Sequence, residues 1–382
     1  MRRFYRTIYA KLAEIPMKKY IWQNPKYPDF SYDSSVILPL LSTVRLKQGY
    51  LLGKMEGIGF ENHRKTLLNV LTEDVIKSNE IEGLKLNLEQ VRSSIAKKLG
   101  LDFDENVYVD RDIDGFVDMM FDATQEYNKK LTEERLFSWQ AAMFPTGRSG
   151  LHKIKTGEYR DDRQGPMQVV SGAIGHEKVH YEAPPANQLD SEMKNLIDYI
   201  NNESKTDLIL KAGIVHLWFV IIHPFEDGNG RIARALADML LARSENSKNR
   251  FYSMSSQINK VRKSYYKALE LTQSQSLDIT DWLKWFLENL LLAITSSETL
   301  FKDVMQKAEF WQKHRHISMN ERQVKIINKL LDYFEGKLTT TKWAKICNCS
   351  QDTATRDITD LISKGILQKQ GEARATHYII KN

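Results

Sequence analysis

Along most of this chain apolar residues return every three or four positions, the spacing of one buried helix face. Residues 34–53 carry that spacing at Leu38, Leu41, Val44 and Leu51, and it recurs over 61–77, 86–99, 113–130, 189–201 and 278–292. Thr132, with Glu133 and Glu134 in the first turn behind it, opens a further helix over 132–143. The stretch 208–222 (LILKAGIVHLWFVII) is apolar on every side, which predicts a helix enclosed by others rather than one lying on a surface. A second helix, rich in strong formers, follows over 231–242. The period then shortens at two places. Around 157–172 and 178–185, β-prone runs flank a Gly-containing loop and predict a hairpin inside a helical domain. Beyond a polar joint at 314–320, helical patterns at 321–334, 340–347 and 351–364 precede β-prone runs at 366–369 and 376–380, with Gly371 between them. The expected class is mainly α with one hairpin, followed by a small α+β unit.

Domains follow from the same pattern. Residues 1–16 read as disordered or as an over-extended start, with Met17 the physiological beginning. An N-terminal helical region covers 17–110, the main domain 111–300, a joint 301–320 and the C-terminal unit 321–382. The aromatic segment 20–30, broken by Pro25 and Pro28, predicts an extended strap packed against a surface. A hydrophobic fraction of 42% and a charged fraction of 27% are those of a globular protein. The net charge of +6 is too small for general nucleic-acid coating. The apolar runs are too short, and too interrupted by charge, to span a bilayer. Cys347 and Cys349 alone build neither a disulfide framework nor a zinc site, so a reduced, cytoplasmic protein is expected.

Chemistry concentrates between the two central helices, in His223-Pro-Phe-Glu-Asp-Gly-Asn-Gly-Arg-Ile-Ala-Arg234. Gly228 and Gly230 are free to take positive φ and Asn229 tolerates it, so a tight loop can turn its N–H groups onto a helix N-terminus, a natural anion site. Arg231 and Arg234, three apart, add two guanidiniums suited to a polyphosphate. Asp227 is a candidate Mg²⁺ ligand and His223 a candidate base at the loop entrance. His216, seven residues earlier in apolar company, reads as a core histidine satisfied by a hydrogen bond.

These twelve residues match the pattern HPFx(D/E)GNGRxxR at every defined position, and the chain therefore resembles the Fic family over roughly residues 20–295. The resemblance implies a helical domain that transfers AMP from ATP to a hydroxyl of a target protein. His223 would then be the base on that hydroxyl and Phe225 the loop's anchor in the core. Asp227 would hold Mg²⁺ bridging the phosphates. Gly228, Asn229, Gly230 and the loop amides would hold the α-phosphate region, and Arg231 and Arg234 the outer phosphates. A branch that phosphorylates its targets carries Lys where this chain has Arg231, which favours nucleotidyl transfer.

Three further segments resemble parts of that family. Ser78, Glu82 and Gly83 match the inhibitory pattern (S/T)xxxE(G/N), in which the glutamate reaches the second arginine of the loop, here Arg234, and takes the γ-phosphate position; without the resemblance, Glu82-Gly83 reads only as a helix end. Met167, Gln168, Val169, Val170, Ser171 and Gly172 fall at the family's flap, where a target strand can pair, although a plain capping hairpin explains the pattern too. Tyr266 and Leu269 resemble the adenine-side helix, and core packing explains them nearly as well. The C-terminal unit resembles a winged helix, with Thr353, Thr355 and Arg356 on the recognition helix. Asp352, Asp357 and Asp360 nearby would repel phosphate, so DNA binding, protein docking and homodimerisation stay open. So do self-modification, the reverse reaction (removal of AMP by a water held on Glu82), and a nucleotide-sensing DNA-binding regulator.

Overall fold

The computed structural model describes residues 20–56, 60–103, 106–163, 165–171, 178–203, 205–274, 276–331, 334, 336–372 and 376–381. The expectations about residues 1–16, Met17 and Gly172 lie outside the described residues. The chain divides into two compact units, Met1–Thr295 and Ser296–Asn382. Helices dominate, as the class expected from the sequence requires, and the strands form only two-stranded pairs among the described residues.

The first unit is built around α7 (Leu208–Ile222), which is buried from Ile209 to Ile222. A helix apolar all round has no solvent face to offer, so other helices must enclose it. Its start is capped by Asp207, whose Oδ1 accepts from Ile209 N at 2.8 Å while Oδ1 and Oδ2 bind Arg45 of α1 (Ser34–Glu56). Its closest companion is α8 (Asn229–Glu245), reached through the tight turn at 223–228. Around this pair stand α2 (Phe60–Ile81), α3 (Leu88–Lys98), α4 (Arg111–Gln125), α5 (Glu133–Met143) and α6 (Leu189–Asn201). Gly115 of α4 lies so close to the backbone of Ala142 in α5 that any Cβ there would collide.

Several expected boundaries moved. The face of α1 that is buried runs through Ile37, Leu41, Val44, Leu51 and Met55, as expected at Leu41, Val44 and Leu51, whereas Leu38 is half exposed and Ile37 takes its place. The helix predicted over 113–130 ends at Gln125. The pattern over 252–269 is two helices, α9 (Met254–Lys260) and α10 (Arg262–Thr272), broken at Val261, whose ψ is 28°. The helix predicted over 278–292 continues as α11 (Thr280–Lys313). The flap is shorter than its β-prone runs, with β3 (Gln168–Ser171) antiparallel to β4 (Lys178–Glu182). A small hairpin, β1 (Arg148–Ser149) with β2 (His152–Lys153), has no counterpart in the sequence reading. The strap at 20–31 lies against this unit, Trp22 Nε1 donating to Glu182 O at 2.8 Å.

The second unit contains α12 (Glu321–Leu331), α13 (Thr340–Cys347), α14 (Gln351–Ser363) and the antiparallel pair β5 (Leu367–Gln370) and β6 (His377–Ile380). Trp343, Ile326, Ile327, Leu338, Ile358, Leu361 and Ile366 make its core. Asn348, at φ 49°, lets the chain turn from α13 into α14, which Ser350 caps by accepting from Thr353 N. Both cysteines are free. Among the described residues no helix is long and apolar enough to cross a membrane.

Candidate active site

The loop between α7 and α8 is held from three directions. His223 ends α7 in the left-handed region (φ 51°, ψ 57°), a conformation a non-glycine residue keeps only where its surroundings fix it. Arg160, almost fully buried, does the fixing: its Nε donates to His223 O at 2.8 Å, its Nη2 to Pro184 O at 2.6 Å, and its backbone N–H to Pro224 O at 2.9 Å. Phe225 is buried against Tyr159, Phe137 and Phe219. Asn229 braces the turn internally, accepting from Phe225 N at 3.0 Å and donating to Phe225 O at 2.7 Å. Its side chain is therefore committed to bracing the loop. Gly228 takes φ 94°, and a Cβ there would also run into Met143.

The His223 ring stands partly exposed in the cavity. Its Nδ1 lies 3.3 Å from Val220 O. A carbonyl can only accept, so Nδ1 carries the proton and Nε2 keeps its lone pair. Burial, with Arg160 beside it, lowers the ring's pKa to about 4, and the imidazole is neutral at pH 7. His216, by contrast, is enclosed, with Nε2 at 2.9 Å from Tyr265 OH and a pKa drawn down to about 3 by burial.

Two buried guanidiniums flank the turn. Arg231 is sandwiched between the rings of Phe116 and Phe144, 5.1 Å from each centroid, and its Nη2 donates to Asp227 Oδ1 at 3.0 Å. Arg234 donates from Nε to Ser78 Oγ and from Nη2 to Ser78 O, both at 2.9 Å, and from Nη2 to Glu82 Oε1 at 2.8 Å. Arg231 Nε and Nη1 and Arg234 Nη1 are buried with no hydrogen-bond partner among the described residues. Buried guanidinium N–H groups without acceptors are costly, and an anion would relieve that cost. Glu82 reaches Arg234 because α2 ends at Ile81 and Gly83, at φ 84°, turns the chain away. Its carboxylate lies on Gly230, where any Cβ would collide with Oε1.

Asp227 is the one carboxylate of the turn placed beside the guanidiniums. Its Oδ1 also accepts from Gly228 N at 2.5 Å, and its Oδ2 accepts from Ser149 Oγ of the small hairpin. Among the described residues no group of three or more His, Cys, Asp or Glu is placed to hold a metal. A single half-exposed carboxylate beside a phosphate-sized anion site fits Mg²⁺, which keeps waters and shares its ligands with phosphates, and does not fit a metal needing an all-protein cage.

A cavity of about 770 Å³ joins these parts. Glu82, His223 and the turn from Glu226 to Arg231 line one side; residues 167–171 of the flap and Tyr266 and Leu269 of α10 line others, with Arg262, Lys263 and Lys267. Ser78, Phe225 and Arg234 are buried and do not line the cavity. Tyr266 is 40% exposed and donates to Ile81 O at 3.1 Å, so this cavity-lining residue also touches the end of α2. Arg160, Ser149 and Tyr181, whose OH donates to Ile221 O at 2.8 Å, were missed from the sequence. Arg160 was visible only as one arginine within a β-prone run, a position that reads equally well as surface.

Residues 130–241 match the model of the Fic/DOC family. This stretch is a Fic domain. Residues 20–101 match a second model, "Domain of unknown function (DUF4172)", so the Fic domain follows a segment that includes α2 and Glu82. Among curated proteins, the chain is 44% identical over 55 residues to protein adenylyltransferase fic-1 of Caenorhabditis elegans, covering 14% of this chain and 11% of that protein. It is 25% identical over 211 residues to protein adenylyltransferase Fic of Drosophila willistoni, covering 52% of this chain and 33% of that protein. The matched stretches thus span a third or less of these relatives. A Fic family protein from Desulfovibrio desulfuricans G20 shares the fold at TM-score 0.56 and 18% identity, with 92% of this chain and 97% of that one covered.

Proposed function

We propose that this chain is a protein adenylyltransferase that moves AMP from ATP to a hydroxyl side chain of a target protein, and that Glu82 restrains it at rest. The observation that carries the reading is a neutral His223, with Nε2 free to accept, in the same cavity as a turn flanked by buried, partnerless guanidinium N–H groups. His223 Nε2 takes the proton of the hydroxyl as its oxygen attacks the α-phosphorus, and pyrophosphate leaves. The free N–H groups at the start of α8, with Arg231, meet the phosphates; Arg234 meets them once Glu82 has withdrawn. Asp227 is the residue that would hold Mg²⁺, which when bound neutralises phosphate charge. All four residues of β3 are exposed and pair only with β4 among the described residues, so the free edge offers a target backbone a strand to join.

The test is transfer of label from α-labelled ATP by the purified chain. Labelled protein from Glu82→Gly and none from Glu82→Gly carrying His223→Ala would support the reading. A folded Glu82→Gly that binds ATP yet labels nothing, itself or proteins of a lysate, would overturn it.

A second reading concerns the C-terminal unit, for which duplex DNA is the proposed partner. Two of the three acids expected to repel phosphate are engaged internally. Asp357 accepts from Arg322 Nε at 2.7 Å and from Asn320 Nδ2 at 2.8 Å, and Asp360 from Lys364 Nζ at 2.6 Å and Gln323 Nε2 at 2.7 Å. The exposed stripe of α14 presents Gln351, Asp352, Thr355, Arg356 and Thr359. Residues 296–382 hold 15 Lys and Arg against 10 Asp and Glu, a net +5 out of the chain's +6. Such a balance favours a phosphate backbone.

A further inference from the structure

Glu82 can oppose a nucleotide only while α2 stays pressed on α8, and the residues that hold it there lie outside the active-site motif. Asp74 and Ser78 of α2, and Glu82 just past its end, are spaced four apart along the chain. The last two engage Arg234 of α8. The first engages Arg250, in the loop after α8: Arg250 Nη2 lies 3.3 Å from Asp74 Oδ2, and Nη1 lies 2.5 Å from Asp238 Oδ1, one turn beyond Arg234. All three side chains are at most 3% exposed. Ser253 Oγ donates to Asp74 Oδ1 at 2.5 Å and Asn259 Nδ2 to Glu80 Oε2 at 2.8 Å, so the segment after Arg250 runs along α2 and fastens it twice more.

A buried guanidinium that donates to acceptors on two helices fixes their relative height, because α2 cannot slide without breaking the Arg250–Asp74 hydrogen bond and leaving a dry polar group unpaired. We propose that Arg250 is a positioning residue for the inhibitory carboxylate: by tying Asp74 of α2 to Asp238 of α8 it keeps Glu82 on Arg234. The proposal rests on the reading of Glu82 as the restraint. Removing Asp74 leaves Arg250 a matched partner in Asp238, so the cluster can lose that carboxylate without stranding a cation.

The experiment reads self-labelling with α-labelled ATP in the full chain, with folding followed by Tm. Asp74→Leu should raise labelling about tenfold, the worth of one charge-assisted hydrogen bond. In a Glu82→Gly background it should raise it no further, since there is no restraint left to misplace. Asp74→Asn, whose amide oxygen still accepts from Arg250, should stay close to wild type. Should Asp74→Leu fail to fold, Ser253→Ala is read the same way, with a rise of about threefold expected. No rise in either folded variant, or the same proportional change with and without Glu82, would reduce Arg250 to a plain structural bridge. If Glu82→Gly itself gives no rise, the reading of Glu82 fails and this proposal with it; if Glu82→Gly rises and the others do not, only the role of Arg250 falls.

Discussion

Replacing Glu82 with glycine is the perturbation that bears most directly on the proposed restraint. In the resting protein Arg234 has three acceptors, Ser78 Oγ, Ser78 O and Glu82 Oε1. Glu82→Gly removes one of them and leaves the two from Ser78, which should hold the guanidinium in place. A charge-assisted hydrogen bond is worth about 1.5–3 kcal/mol. Divided by about 1.4 kcal/mol per decade, that is roughly a tenfold to hundredfold change in how readily Arg234 meets an outer phosphate. The cost to the fold is small, because residue 82 lies just past the end of α2 and is partly exposed. On the proposed reading, ATP bound beside Glu82 would have its outer phosphates displaced and its α-phosphorus out of line with the hydroxyl. Labelling by α-labelled ATP should therefore rise by about one to two decades, mostly in kcat. Arg234→Ala should not mimic it, since the phosphate contact goes with the restraint. A Glu82→Gly protein that is folded and binds ATP but transfers no faster than wild type would refute autoinhibition by this residue.

His223→Ala should lower transfer by about a hundredfold or more while ATP binding, followed by calorimetry, is kept; near wild-type transfer would remove His223 as the base. Because its pKa is held near 4, the acid limb of kcat/KM should lie well below pH 6.5, and a limb centred at 6.5 would contradict a ring that is neutral at pH 7. Asp227→Ala should raise the Mg²⁺ concentration needed for half-maximal transfer, and an unchanged Mg²⁺ titration would argue against a metal there. His216, with a folded pKa near 3, binds no proton where the unfolded chain begins to below about pH 6.5. Stability should accordingly fall as pH drops from 6.5 toward 4, by up to about 1.4 kcal/mol per unit, and His216→Gln should flatten that slope in urea titrations. The full chain should bind a labelled random-sequence duplex with a salt slope that becomes shallower by about one in Arg356→Ala; no binding at low salt, or tighter binding to RNA, would set DNA aside.

What could be read from the sequence was what acts over short distances. The turn from His223 to Arg234 joins two adjacent helices, so its glycines, acid and arginines stand together in the chain as they do in space. The enclosure of α7 was legible because no arrangement cheaply exposes a fifteen-residue helix whose only polar side chains are Lys211 and His216. What stayed hidden depends on partners far along the chain. Arg160 acts on carbonyls at 184, 222 and 223. Asp357 looked like a charge facing solvent until Arg322, 35 residues away, was seen to cover it. The break at Val261 carries neither Pro nor Gly and left no mark in the pattern. Leu38 misled because Ile37 beside it is equally apolar, and only packing shows which of the two is buried with Leu41, Val44 and Leu51.

The partners of the turn also differ in how easily they can be exchanged, and that difference decides where control can sit. Arg160, Phe225 and Asn229 are all nearly or fully buried, and each fastens the backbone of the turn. Withdrawing Arg160 or Asn229 would leave backbone groups or a guanidinium dry and unpaired, and withdrawing Phe225 would open a cavity among Tyr159, Phe137 and Phe219, each at several kcal/mol. Asp227 and Glu82 are the carboxylates on the two arginines, and both keep substantial exposure, 37% and 29% of the side chain. Either can turn toward water at little cost, and the arginine it leaves can donate to a phosphate oxygen in its place. A nucleotide thus needs to displace only groups already half in solvent, while the geometry that sets His223 against the α-phosphorus is held by groups that cannot move without unfolding the turn. Of the two exchangeable carboxylates, Asp227 would remain with the nucleotide as a metal ligand. On the proposed reading Glu82 has no such second role on the phosphate side and would have to leave. A restraint on this turn would then fall on Glu82, and whatever fixes the height of α2 would fix the strength of that restraint.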